Sequence, residues 1–146
     1  TRREAILSVP GDTPSPSASL VKNTNHNGSD IVVKTITLDE YVKDNNLSSI
    51  DLIKCDVEGH ELEVFQGGCA TLKQFKPVVM FECEARHNGS ENVMAVFDYL
   101  FSLNYKGCFY NGHSFVDLNQ FDLVKYQTGP NRKIYVNNFF FTPKGT

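Results

Sequence analysis

Between Ile50 and Gly68 the stretch IDLIKCDVEGHELEVFQGG sets an apolar run directly before Asp56, Glu58, His60, Glu61 and Glu63. A second apolar run, PVVMFECE, ends in Glu82 and Glu84. Carboxylates and imidazole are the side chains that take or orient protons near neutral pH, and acids held close together raise one another's proton affinity. Such a cluster complements a cationic ligand as well. Each residue has a plainer reading beside this one. Glu58, Glu61 and Glu63 fall near a predicted helix start, where the macrodipole favours negative charge by about 0.3–1 kcal/mol each. For Glu61 and Glu63 that reading is preferred. Gly59 relieves a turn, and a lone His60 is more often a surface histidine than a catalytic one. Asp56 is read as functional because it closes an apolar strand at the end where open α/β sheets bind their ligands.

The elements that must position these acids follow from the flanking pattern. Ile50–Asp56 and Pro77–Glu84 are nearly continuous in apolar residues, as parallel strands covered on both faces require. Between them Leu62, Phe65, Cys69, Leu72 and Phe75 recur at helical spacing, which makes a strand, helix, strand unit. Gly67 and Gly68 each cost about 1 kcal/mol relative to Ala inside a helix, so a kink or two short helices are expected there. If the two strands are neighbours, Asp56 and Glu82 emerge side by side on one rim.

Upstream, Glu4–Val9 and DIVVKTI read as strands, separated by a loop-rich stretch over residues 10–30 that is expected to be exposed and mobile. Thr37 and Glu40 stand at capping-box spacing, with Ile36 and Tyr41 placed for a hydrophobic staple, so a short helix should start at Thr37. Downstream, ENVMAVFDYLFSL puts Val93, Val96, Phe97, Leu100 and Phe101 on one stripe of an amphipathic helix. YKGCFY, SFVDL and NNFFFTP then predict short antiparallel strands at the edge of the sheet. Tyr105, Phe109, Tyr110 and Phe115 could line a pocket, although packing explains most of them.

The chain has 146 residues, 40% hydrophobic and 12% aromatic, enough for one domain with a real core. A net charge of −3, with 14 scattered Lys and Arg, argues against nucleic acid as a partner. No apolar run approaches the roughly 20 residues that span a bilayer. Cys55, Cys69, Cys83 and Cys108 are widely spaced with no CxxC, which favours reduced thiols and a cytoplasmic location. The first residues, TRREAILSVPGD, lack an initiator Met and a secretory core, so the expectation is a start inside a longer protein.

VKTITLDEYV, IDLIKCDVEGHELEVFQGG, KPVVMFECE and NNFFFTP together resemble the C-terminal half of the FkbM-type methyltransferase family, from about Val32 to Pro143. The resemblance implies S-adenosylmethionine-dependent O-methylation on a class I Rossmann-like α/β sheet. It makes Ile50–Asp56 the fourth strand and Val78–Glu84 the fifth, with the tail as the last antiparallel pair. The family's KxDVEGxE block falls on Lys54, Asp56, Val57, Glu58, Gly59 and Glu61, and its glutamate on the next strand falls on Glu82. The implied catalytic residues are Asp56, Glu58, His60 and Glu82, with Asp56 and Glu58 also facing the cofactor. The family's glycine-rich cofactor turn and its ribose-holding acid have no counterpart here, since the first glycine is Gly11 and no GxGxG precedes a helix. The chain is therefore expected to be one partial domain lacking the N-terminal strands, with residues 1–31 a strand and flexible loop and residues 32–146 the matching core.

Two further readings stand beside the enzyme. A non-catalytic α/β module that binds a partner or a sugar is favoured by the missing glycine-rich turn. A divalent-metal site of Asp56, Glu58, His60, Glu82 and Glu84 ranks last, because no spacing demands a metal. The acceptor, whether small molecule or glycan, is not written in the sequence.

Overall fold

The computed structural model describes residues 3–10, 28–130 and 133–145. The loop expected over residues 10–30 falls mainly outside them. Strands β1 (Arg3–Pro10) and β2 (Gly28–Thr35) pair antiparallel as a two-stranded ribbon, Arg3 facing Thr35. Helix α1 (Leu38–Asp44) follows at once. Its start obeys the sequence: Thr37 Oγ1 accepts from Glu40 N at 3.2 Å, and Thr37 N donates to Glu40 Oε2 at 3.2 Å.

Next come β3 (Leu52–Cys55), α2 (Glu61–Gln66), α3 (Cys69–Phe75) and β4 (Val78–Glu82). The double glycine splits the helical stretch in two, as expected. At Gly68 a Cβ would stand 2.7 Å from Leu38 Cδ2, so glycine here admits α1 against the break. From the other side, Asp39 caps α3. Its carboxylate accepts from Ala70 N at 3.0 Å, Thr71 N at 2.8 Å and Thr71 Oγ1 at 2.6 Å, serving donors that a helix start leaves without intrahelical partners.

Helix α4 (Ala85–Ser102) is interrupted at Gly89, whose φ of 73° takes it out of helical geometry. Beyond the interruption Val93, Val96, Phe97 and Leu100 are buried, while Phe101 stays half exposed. The tail supplies β5 (Tyr105–Tyr110), β6 (Phe115–Asp117), a π-helical turn at Val124–Thr128 and β7 (Asn138–Pro143).

The larger sheet has the order β3-β4-β7-β5-β6. β3 and β4 are parallel, with Leu52 opposite Val78 and Cys55 opposite Phe81. Here the tail departs from the expected antiparallel edge. β7 is inserted antiparallel between β4 and β5, so β5 runs in the same direction as β4 and only β6 forms an antiparallel edge. A strand made of Phe139 and Phe141 buried at 0% belongs in the middle of a sheet. β3 departs as well: it is the outer strand among the described residues, and its Leu52 is 59% exposed.

One core joins the sheet to the helices. Phe81 lies at its centre, its ring 5.2 Å from Phe65, 5.7 Å from Phe139 and 5.6 Å from Phe141. Of the four tail aromatics, Tyr105 and Phe109 are buried in this core, whereas Tyr110 and Phe115 pair with each other on the surface at 5.5 Å. All four cysteines are described, and none forms a disulfide. No helix among the described residues is long and apolar enough to cross a membrane.

Candidate active site

Because Cys55 and Phe81 are partners in a parallel ladder, the next residue of each strand, Asp56 and Glu82, emerges at the same carboxyl end. With Glu58, Gly59, Glu61 and Glu84 they line a cleft of about 10 Å³, close to the smallest space that holds one water. The expected convergence of Asp56, Glu58 and Glu82 on one rim is thus present. The turn that bends Glu58 inward needs left-handed backbone at two successive residues, φ 51° at Glu58 and 107° at Gly59. Glycine takes the second without penalty.

The acids differ in their surroundings. Asp56 is exposed and paired with Lys54 Nζ at 3.1 Å. Glu61 is buried to 2% exposure, and its Oε1 accepts from Gly59 N at 3.1 Å, pinning the turn. That helix-start residue therefore belongs to the rim, which its dipole position had hidden. Glu84 is buried to 3%. It accepts from Asn137 Nδ2 at 2.7 Å, Tyr135 OH at 3.0 Å and Arg86 Nη2 at 3.1 Å, with Arg86 Nε against its other oxygen. Asn137 Nδ2 also donates to Glu82 Oε1 at 2.7 Å, so one amide bridges both acids.

This asymmetry drives the two carboxyls apart. Burial raises the pKa of Glu82, and its hydrogen bond with Glu84 and the negative charges of Asp56, Glu84 and Glu58 raise it further. Burial alone would raise Glu84, but hydrogen bonds from Asn137, Tyr135, Arg86 and Glu82 outweigh it and leave that carboxyl below its ordinary value. Pairs of acids pushed in opposite directions are the pattern of a site that moves protons.

His60 goes elsewhere. Its ring lines a separate hollow between the ribbon and helices α1 and α2, with Nδ1 3.7 Å from Glu63 Oε2 and Nε2 buried without a hydrogen-bond partner among the described residues. It does not join the acidic cleft. Nor are any three His, Cys, Asp or Glu side chains among the described residues arranged to hold a metal ion.

Sequence reasoning missed Arg86, Gln127, Tyr135 and Asn137. Gln127, 3% exposed, ties the π-helical turn to the end of β4. Its Oε1 accepts from Ala85 N at 2.8 Å, and its Nε2 donates to Cys83 O at 2.9 Å and Val136 O at 2.8 Å. Only Arg86, two residues beyond Glu84, carried a local signal.

The acidic rim beyond adjacent parallel strands agrees with comparison to known proteins, where the chain matches the family model of the methyltransferase FkbM domain over residues 3–107. The chain belongs to the FkbM methyltransferase family. The FkbM match takes in the ribbon upstream of Val32 and ends at Gly107, so β6 and β7 lie beyond it. Over 81 residues the chain is 32% identical to the hexuronic acid methyltransferase AglP of Haloferax volcanii, covering 53% of this chain and 34% of that protein. It thus spans about a third of that relative's length. No solved structure matches the chain.

Proposed function

We propose that this FkbM domain serves S-adenosylmethionine-dependent O-methylation of a hydroxyl on a sugar or other small-molecule acceptor, with the chemistry at the rim of Asp56, Glu58 and Glu82. The observation that carries the reading is the meeting of Asp56 and Glu82 at the carboxyl ends of two parallel neighbours, one acid with a raised pKa. The strand order β3-β4-β7-β5 supports a class I arrangement with β3 and β4 as fourth and fifth strands. The sugar is supported by the relative, whose name gives hexuronic acid as what it methylates.

S-adenosylmethionine, when bound, supplies an electrophilic methyl carbon on a sulfonium. The carboxylates of the rim fit that positive charge, whereas no glycine-rich turn in this chain fits the rest of the molecule. Asp56 and Glu58 set the negative potential that favours the cation. Glu82 takes the acceptor's proton, its raised pKa bringing it nearer the working pH of a general base. Asn137 fixes the carboxylate of Glu82 in orientation, and Glu84 holds Asn137 in turn. His60 has the weaker claim to act as base, because it faces the ribbon hollow. A cytoplasmic location completes the reading.

The missing glycine-rich turn favours a second reading, a non-catalytic module that binds a sugar. Calorimetric titration with S-adenosylmethionine, followed by transfer of labelled methyl to a sugar panel, separates them. The enzyme reading expects Asp56→Asn and Glu82→Gln each to lose about 10²-fold or more in turnover. Full turnover in both variants would remove these residues from the mechanism, and absence of both binding and transfer would favour the module.

A further inference from the structure

Apart from the acidic cleft, and lined by Arg86 and Tyr135 that hold Glu84, lies a hollow of about 540 Å³, within the range of small-molecule sites. Ala85, Arg86, Gly89, Ser90, Gln127, Thr128 and Tyr135 surround it. Its floor is fixed. Gln127 locks the π-helical turn to the end of β4 by two hydrogen bonds and to Val136 O by a third, and π-helical turns recur at functional sites. The interruption at Gly89 opens the near wall, where a Cβ would meet nothing within 4 Å.

Two groups in this hollow are held rigidly yet remain accessible. The Arg86 side chain is 67% exposed, although Glu84 engages its Nε and Nη2 and so fixes the guanidinium plane. Tyr135 is 42% exposed with its hydroxyl tied to the same carboxylate. A guanidinium has five N–H donors in a fixed fork, so the two positions engaged with Glu84 leave others for a planar or tetrahedral anion. Ser90, Thr128 and Tyr135 line the hollow beside them, residue types that suit a polyol ring.

The charge pattern gives this hollow a direction. Asp56, Glu58, Glu61, Glu82 and Glu84 line the cleft and repel an anion there, whereas Arg86 lines the hollow and attracts one. We propose that the hollow is a subsite for an anionic sugar, Arg86 binding its carboxylate or phosphate. That the sugar is the methyl acceptor rests on the methyl-transfer reading above, but the anion end is tested by binding alone.

The test is titration calorimetry of the protein with glucuronate, glucose 6-phosphate and glucose, without methyl donor. At least one anion should bind tenfold or more tightly than glucose, weaken as salt rises, and lose that preference in Arg86→Gln; which anion does so identifies carboxylate or phosphate. Because Arg86→Gln takes a cation from the buried Glu84, Ser90→Glu is measured beside it, and it should abolish anion binding while sparing glucose. Equal affinity for all three sugars, or an anion preference that survives both substitutions, overturns the subsite. A preference that responds as expected, with no methyl transferred to any of the three from S-adenosylmethionine, would instead count against the enzyme reading and leave the subsite standing.

Discussion

At the residue scale, the bridge of Asn137 between Glu82 and Glu84 makes stability depend on pH in two opposed senses. Glu82, with its pKa raised by burial and its hydrogen bond to Glu84, contributes stability below the unfolded carboxyl value near 4.3, and loses it as pH climbs through the folded value. Glu84, lowered by its hydrogen bonds against the effect of burial, contributes above that value and loses its share as pH falls through the folded one. Glu82→Gln keeps a donor for Glu84 and an acceptor for Asn137 without the charge. Its melting temperature should exceed wild type at pH 7.5, with the gap closing towards pH 4. Asp56→Asn should leave stability within about 1 kcal/mol of wild type, because among the described residues its ion-pair partner is the exposed Lys54, while activity falls. A melting curve and a turnover assay on the same sample check both. Asp56 and Glu82 were legible in the sequence because strand ends fix where side chains emerge. The helix-start reading of Glu61 holds, but its burial and its bond to Gly59 N were hidden because a local rule sufficed to explain it. Tyr135 and Asn137 could not be read at all, since they reach Glu84 from about fifty residues downstream.

At the element scale, the start of α3 depends on a carboxylate from another helix. Asp39→Ala removes the acceptor shared by Ala70 N, Thr71 N and Thr71 Oγ1, and should cost about 1–2 kcal/mol in urea unfolding. Asp39→Asn should recover part of it, which separates lost capping from lost packing. The capping box of α1 and the break at Gly67–Gly68 were readable from sequence because both are decided within four residues. The exposure of β3 was not, because an apolar run reads alike whether a second neighbour covers it or not. His60 shows the same limit: one residue from the acidic turn, it faces the other hollow, and only the turn at Glu58 and Gly59 decides the side.

At the scale of the whole molecule, stability is concentrated in an aromatic core that spans the sheet and both helical segments. Phe81 touches Phe65, Phe97, Phe139 and Phe141, so Phe81→Ala should lose about 3–5 kcal/mol, read from the urea midpoint at unchanged slope. Gly107 is set by the same core: a Cβ there would come within 2.7 Å of Phe141 Cζ and 2.8 Å of Leu118 Cδ2. The α/β class, the parallel pair and the helices on it were visible in sequence periodicity. The insertion of β7 was not, because pairing between residues 79–82 and 138–141 leaves no trace in either segment.

That insertion governs when the protein can acquire its structure. Among the described strands β4 and β5 share no ladder with each other and are joined through β7, which follows both in the chain. Until β7 enters, the larger sheet is two pairs, β3-β4 and β5-β6, with a gap where Phe139 and Phe141 belong, and Asn137 reaches Glu82 and Glu84 in the same closing step. Assembly of the sheet and completion of the rim are one event, set by the arrival of β7.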